Sequence, residues 1–198
     1  MLGVDVDARM AGLARQRGLE VEVAKFEDWE NGGRDFDAVV AGQTWHWVDP
    51  VAGAAKAAQV LRPGGRLAVF WNAFKPPPDV GEAFGEAYSR VLPGSPNLWT
   101  RPILDVYLMM CGKAADGMGV AGAFGDPQQW RYEWDRPYTR GEWLDQVPTF
   151  GGYAQLPPVR QDDLLAGIGA AIDAAGGSFT MRYTTVAVTA TRAGATRR

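Results

Sequence analysis

Met1-Leu2-Gly3-Val4-Asp5 is a short apolar run closed by a carboxylate, and Val6-Asp7 leads straight into a helical pattern. A buried parallel strand ending on an acid, with a helix following at once, is how nucleotide-binding α/β sheets hold ribose hydroxyls. Asp7 is placed to cap a helix over 8–17, with Met10, Leu13 and Ala14 at inward spacing and Gly18 at its end. Residues 19–24 (LEVEVA) alternate and predict a strand at or near a sheet edge, whereas 35–41 (DFDAVVA) predict a central buried strand. Asp49 and Pro50 form a helix start, and that helix continues to about Leu61 through Ala54, Ala57 and Ala58. Arg62-Pro63-Gly64-Gly65 predicts a tight turn, and 66–71 (RLAVFW) a further buried strand. Strands and helices alternating at this interval predict parallel βαβ units.

The character changes after Asn72. Lys75-Pro76-Pro77-Pro78 is a stiff exit, 80–91 and 102–111 read as helices, and 112–125 as a glycine- and alanine-rich loop. Residues 129–135 (QWRYEWD) alternate aromatic with polar and predict a half-exposed strand. Thr139 caps a short helix over 140–146, a longer one covers 160–175, and 178–191 is β-rich. The two late strands are expected to pair antiparallel on one edge of the sheet. The match of Gly117-Met118-Gly119-Val120-Ala121-Gly122 to G-x-G-x-x-G follows no strand and has no acidic strand end after it, so it is set aside as a phosphate loop.

A net charge of −3 in 198 residues argues against a nucleic-acid partner, whose recognition needs a basic face. The lone Cys111, inside an apolar run, fits core packing and a reducing cytoplasm, and one His with one Cys cannot close a metal site. No apolar stretch approaches a membrane span, and no secretory leader is recognisable, so a cytoplasmic location is expected.

With this layout, the residues resemble a class I S-adenosylmethionine-dependent methyltransferase of the small-molecule type. GVDVDARM (3–10) is similar to the family's second strand with its ribose-binding acid, and AKFEDW (24–29) to the loop beside adenine. FDAVVAGQTWHWVD (36–49) is similar to the fourth strand and the loop below the methyl group, and LRPGGRLAVFWN (61–72) to the fifth strand with its turn. The resemblance implies an α/β fold: a Rossmann-like sheet, mostly parallel with a late antiparallel pair, N-terminally truncated and carrying an inserted helical lid. It divides a single domain into a partial cofactor core (1–73), the lid (74–127), a strand-helix-strand completion (128–191) and a tail (192–198).

The resemblance further implies S-adenosylmethionine as cofactor and a small-molecule methyl acceptor as partner. Asp5 would accept from the ribose hydroxyls, although a helix-terminal acid role is the competing reading, one that Asp7 could also fill. Lys25 stands where the family commonly has an adenine-binding acid; Phe26 is placed to stack on adenine, and Glu27 or Asp28 to take its amino group. Ala41, Gly42 and Gln43 follow a strand's carboxyl end, where small residues let a backbone approach a ligand. His46, between Trp45 and Trp47, is the candidate proton acceptor, with packing of the next helix the favoured alternative. Trp45, Trp99 and Tyr107 are candidates for the acceptor's side of the site.

Methyl transfer needs alignment and water exclusion rather than a nucleophile or metal. The family's glycine-rich loop, first strand and following helix would precede Met1. Their absence is expected to expose two sheet edges and to leave S-adenosylmethionine bound weakly or not at all. A homodimer through those edges, in a catalytically inactive binding module, is the alternative function. A remnant of a short dehydrogenase fits less well.

Overall fold

A computed structural model of the chain describes residues 1–94 and 98–194, so the end of the basic tail, Arg197 and Arg198 included, lies outside the described residues. Two compact units are formed, one by 1–71, 108–131 and the chain from Val186 on, the other by 72–107 and 132–185. Residues 74–127 therefore divide between the two units.

In the first unit, β1 (Leu2–Asp5) runs into α1 (Ala8–Gln16), whose N-terminus is capped by the Asp7 carboxylate accepting from Arg9 N at 2.8 Å. The Arg9 guanidinium and amide together hold the Asp7 carboxyl down at about 2. β2 (Glu20–Val23) pairs parallel with β1, Leu2 opposite Glu20 and Asp5 opposite Val23, and these strands form a sheet of their own. β3 (Phe36–Gly42) pairs parallel with β4 (Leu61–Lys75), and α2 (Pro50–Val60) is the crossover between them. Asp49 caps α2, accepting from Val51 N and Ala52 N, and Pro50 sits where a helix spends no hydrogen bond on its nitrogen. The small side chains of Ala54 and Ala57 are fully buried beneath it.

The predicted turn at 62–65 survives as an irregularity inside a strand longer than expected. Phe36 faces Leu61 and Ala38 faces Arg66, so four residues of β4 loop out opposite Asp37, with Gly64 at φ +80°. Beyond the loop, Leu67, Val69 and Trp71 alternate into the core with no exposure.

Two expectations are corrected here. β3 is not a central buried strand: among the described residues it pairs with β4 alone, and Val40 is 64% exposed. The stretch 112–125 is not a loop for most of its length, because α4 (Ile103–Ala121) runs through it. Cys111, Ala114 and Met118 recur at helical spacing and are buried, which offsets the cost of the intervening glycines. The G-x-G-x-x-G match thus lies on the last turns of a helix, which Gly122 ends at φ +65°.

In the second unit, α3 (Pro78–Val91) packs on α6 (Pro158–Ala174), and Gly167 lets the helices close until a Cβ there would stand 3.1 Å from the Cβ of Ala87. β5 (Gln128–Thr139) and β6 (Ser178–Thr191) run antiparallel: Trp134 stacks on Tyr183 at 4.3 Å, Tyr138 on Phe179 at 5.7 Å, and Asp135 pairs with Arg182 at 3.5 Å. The expected late antiparallel pair is there, with β5 on the edge and β6 beside β4. α5 (Arg140–Gln146) opens on a capping box, Thr139 and Glu142 each bonding the other's backbone. The unit's core is aromatic, with Phe84, Trp143, Phe179 and Tyr138 buried together.

Candidate functional site

The carboxyl ends of β1, β2 and β3 open into one cavity of about 630 Å³ in the first unit. Its end wall is built by the turns that follow β2 and β3. Phe26 and Glu27 lie in a single helical turn after β2, and Trp45 in another after β3. These turns are tied together: the Phe26 and Trp45 rings are 6.0 Å apart, and Glu27 Oε1 accepts from Asp49 N at 2.9 Å.

Asp5 lines the cavity at the end of β1, with its carboxylate oriented by the amide of Asp7, which donates to Oδ1 at 2.8 Å. The carboxylate thus faces a ligand space and is also fixed by local backbone. Phe26, Glu27, Ala41 and Trp45 line the same cavity, so the structure brings five of the expected residues together. Glu27 is already engaged at the start of α2, and its oxygen serves to hold the two turns in register. Lys25, Thr44 and Trp47 also line the cavity. Trp47 is 81% exposed, a large apolar surface at its mouth. Of these, Lys25 stands at the position of the family's adenine-binding acid, whereas Thr44 and Trp47 carried no signal beyond adjacency to the residues singled out.

Gly42 and Gln43 serve the backbone and are not among the cavity-lining residues. A Cβ on Gly42 would meet the Phe70 ring at 2.5 Å, so the glycine makes room for a neighbouring strand's side chain. Gln43 takes a left-handed conformation, φ +57°, and donates its amide to Phe70 O at 2.9 Å, turning the chain out of β3.

His46 points elsewhere. The fully buried indole of Trp71 donates Nε1–H to His46 Nδ1 at 3.2 Å. The lone pair on Nδ1 is therefore engaged, and the neutral ring carries its proton on Nε2. Partial burial lowers the His46 pKa below the usual 6.5. An imidazole whose basic nitrogen is occupied by a buried donor positions the turn around Trp45.

Trp99 and Tyr107 are not part of this cavity. Trp99 belongs to the second unit's aromatic cluster, 5.1 Å from Phe74 and 5.3 Å from Phe84 between ring centroids. Tyr107 is half-buried on α4. Among the described residues, no group of acids, histidines and cysteines could hold a metal ion, and no helix is long and apolar enough to cross a membrane.

Residues 1–69 match the family described as a methyltransferase domain. Uncharacterized methyltransferases of Mycobacterium bovis and Mycobacterium tuberculosis are 58% identical over 36 residues, which is 18% of this chain. The matched stretch spans only 15% of those relatives' length. A solved structure assigned as a type II methyltransferase from Anaeromyxobacter dehalogenans aligns with 95% of this chain and 78% of its own, at 19% identity and a TM-score of 0.61. The chain shares the Rossmann-like fold of that methyltransferase, and the family match is confined to its first third.

Proposed function

We propose that this chain holds the adenosyl end of S-adenosylmethionine and serves methyl transfer to a small-molecule acceptor. The observation that carries the reading is Asp5: a backbone-anchored carboxylate at the carboxyl end of a parallel strand, facing a cavity with an aromatic ring beside it. That is the donor-seeking, half-apolar surface a nucleoside requires. When bound, the cofactor supplies a methyl group already activated on sulfur, so the chain's task is to orient it and exclude water.

Asp5 accepts from ribose hydroxyls. Phe26 and Ala41 offer apolar surface to the base. Glu27, through the Asp49 amide, keeps the turn carrying Phe26 against the turn carrying Trp45. Trp45 and the exposed Trp47 form the wall nearest an incoming acceptor. The aromatic cluster around Trp99 is a hydrophobic core.

Amide shifts of the labelled chain, followed during titration with S-adenosylhomocysteine, test this reading. Shifts confined to residues around Asp5, Phe26 and Ala41 are expected, and Asp5→Asn should weaken binding about tenfold through the lost bidentate pair. A folded chain whose Asp5 and Phe26 amides do not respond at millimolar ligand would refute it.

A second reading, a binding module that pairs through its sheet edges, is favoured by one observation. Among the described residues, β1 and β3 each have only one strand neighbour.

A further inference from the structure

Trp29 lines the cavity beside Phe26, Phe36 and Trp45, yet it is only 5% exposed and is held from several sides. Its indole N–H donates to Glu22 Oε2, on β2, at 2.6 Å. The other Glu22 oxygen pairs with Arg34 at 2.8 Å, and the same guanidinium lies over the Trp29 ring, 5.6 Å from its centroid. The Trp29 carbonyl accepts from Lys56 Nζ of α2 at 3.0 Å, and the Phe36 ring of β3 lies 5.9 Å away. Arg34 is itself fixed. Its Nε donates to Asn31 O at 2.6 Å and Asn31 Nδ2 donates back to Arg34 O, across a turn in which Gly32 and Gly33 take φ +60° and +76°.

Two orientations of a buried indole, related by a half-turn about χ2, cover nearly the same area but present the N–H at opposite edges. Burial alone therefore does not choose between them. A charge-assisted bond to the N–H does, because the flipped ring would leave a buried donor unpaired. Glu22 supplies that bond from a carboxylate that stays ionised: the Trp29 N–H, and next the bond from Arg34, hold its carboxyl below the ordinary range. The ion pair adds little to folding, since the Glu22 and Arg34 side chains remain 37% and 40% exposed. Its effect is geometric. Trp29 ends the single turn that carries Phe26, and the two rings lie 22° from parallel with their centroids 6.4 Å apart. A wall of rings held in one plane can orient a flat base without first losing rotamer entropy.

We propose that Glu22 and Arg34 are positioning residues for the base of the bound nucleoside: together they fix the plane of the Trp29 indole, which supports Phe26 and completes the aromatic wall on which the base rests. The inference rests on the nucleoside reading of this cavity and deepens it. Asp5 serves the ribose, and the pair on the far side of Trp29 serves the base.

Affinities of the full chain for two probes, read from amide shifts, test it. S-adenosylhomocysteine carries the base; S-ribosylhomocysteine keeps the sugar and the homocysteine without it. The ratio of the two affinities isolates the base. Glu22→Leu is expected to lower that ratio roughly fivefold, leaving S-ribosylhomocysteine binding unchanged and moving the Trp29 indole N–H resonance, which is assigned by its absence in Trp29→Phe. Glu22→Gln, whose amide oxygen still accepts from the indole, should restore most of the ratio and the resonance. Arg34→Met leaves Trp29 and Glu22 in place and should lower the ratio by a smaller factor; it decides the matter should Glu22→Leu unfold. An unchanged ratio in a folded variant, equal weakening of both probes, or a Glu22→Gln chain no better than Glu22→Leu would each overturn the proposal. A native chain whose Asp5 and Phe26 amides ignore S-adenosylhomocysteine would remove the nucleoside reading and this inference with it. A native chain that binds, with Asp5→Asn weakening both probes and the Glu22 and Arg34 variants leaving the ratio alone, would remove this inference only.

Discussion

Gly117 and Gly119 lie two residues apart on α4 and predict opposite outcomes for the same substitution. A Cβ on Gly117 would stand 2.3 Å from Pro50 O and 2.5 Å from Pro50 C, whereas a Cβ on Gly119 would meet nothing within 4 Å. Alanine gains up to about 1 kcal/mol over glycine inside a helix, through lower backbone entropy in the unfolded chain. Near the last turn of α4 the gain at 119 is expected at roughly 0.5 kcal/mol. At 117 the same gain meets a backbone carbonyl, which cannot rotate aside as a side chain would. The helices must separate, and overpacking of this kind costs roughly 1–3 kcal/mol. Gly117→Ala should therefore be net destabilising, and the two variants should differ by about 2 kcal/mol, or about 4–8 °C in melting temperature for a chain of this size. Circular-dichroism melts of both variants in one buffer measure the difference. A Gly117→Ala chain at least as stable as Gly119→Ala would refute the close contact. It would also reopen a ligand role for the glycine-rich match, which would predict lost cofactor affinity at unchanged stability.

Asp49→Ala removes the acceptor for two amides of α2 and should cost about 1 kcal/mol, measured by urea unfolding. Burial lowers the folded-state pKa of His46 below 6.5, so its contribution to stability is fully present above that pH and is lost as pH falls toward the folded value. Unfolding midpoints of the native chain should thus fall below pH 6.5 more steeply than those of His46→Gln; parallel profiles would contradict the Trp71 bond and its desolvated setting. Cys111, almost fully buried with its thiol pushed up to about 11, should stay unmodified by a thiol-reactive dye at pH 8 until the chain is unfolded.

Where the fold was legible in the sequence, local chemistry decided it. Asp7, Asp49 and Thr139 each announce a helix by a capping side chain, and each does cap one. The buried strand over 66–71 and the stop at Gly18 are equally local. The two corrections are tertiary in origin. The run 35–41 has the composition of a central strand, but composition cannot say how many neighbours a strand has. The glycines of 112–121 signal a loop unless Pro50 is known to press against Gly117. That Asp5 and Phe26 line one cavity was legible because ligand clefts of α/β sheets lie at strand ends. Two roles, the engagement of Glu27 with the Asp49 amide and the aim of His46 at Trp71, span 22 and 25 residues and have no local signature.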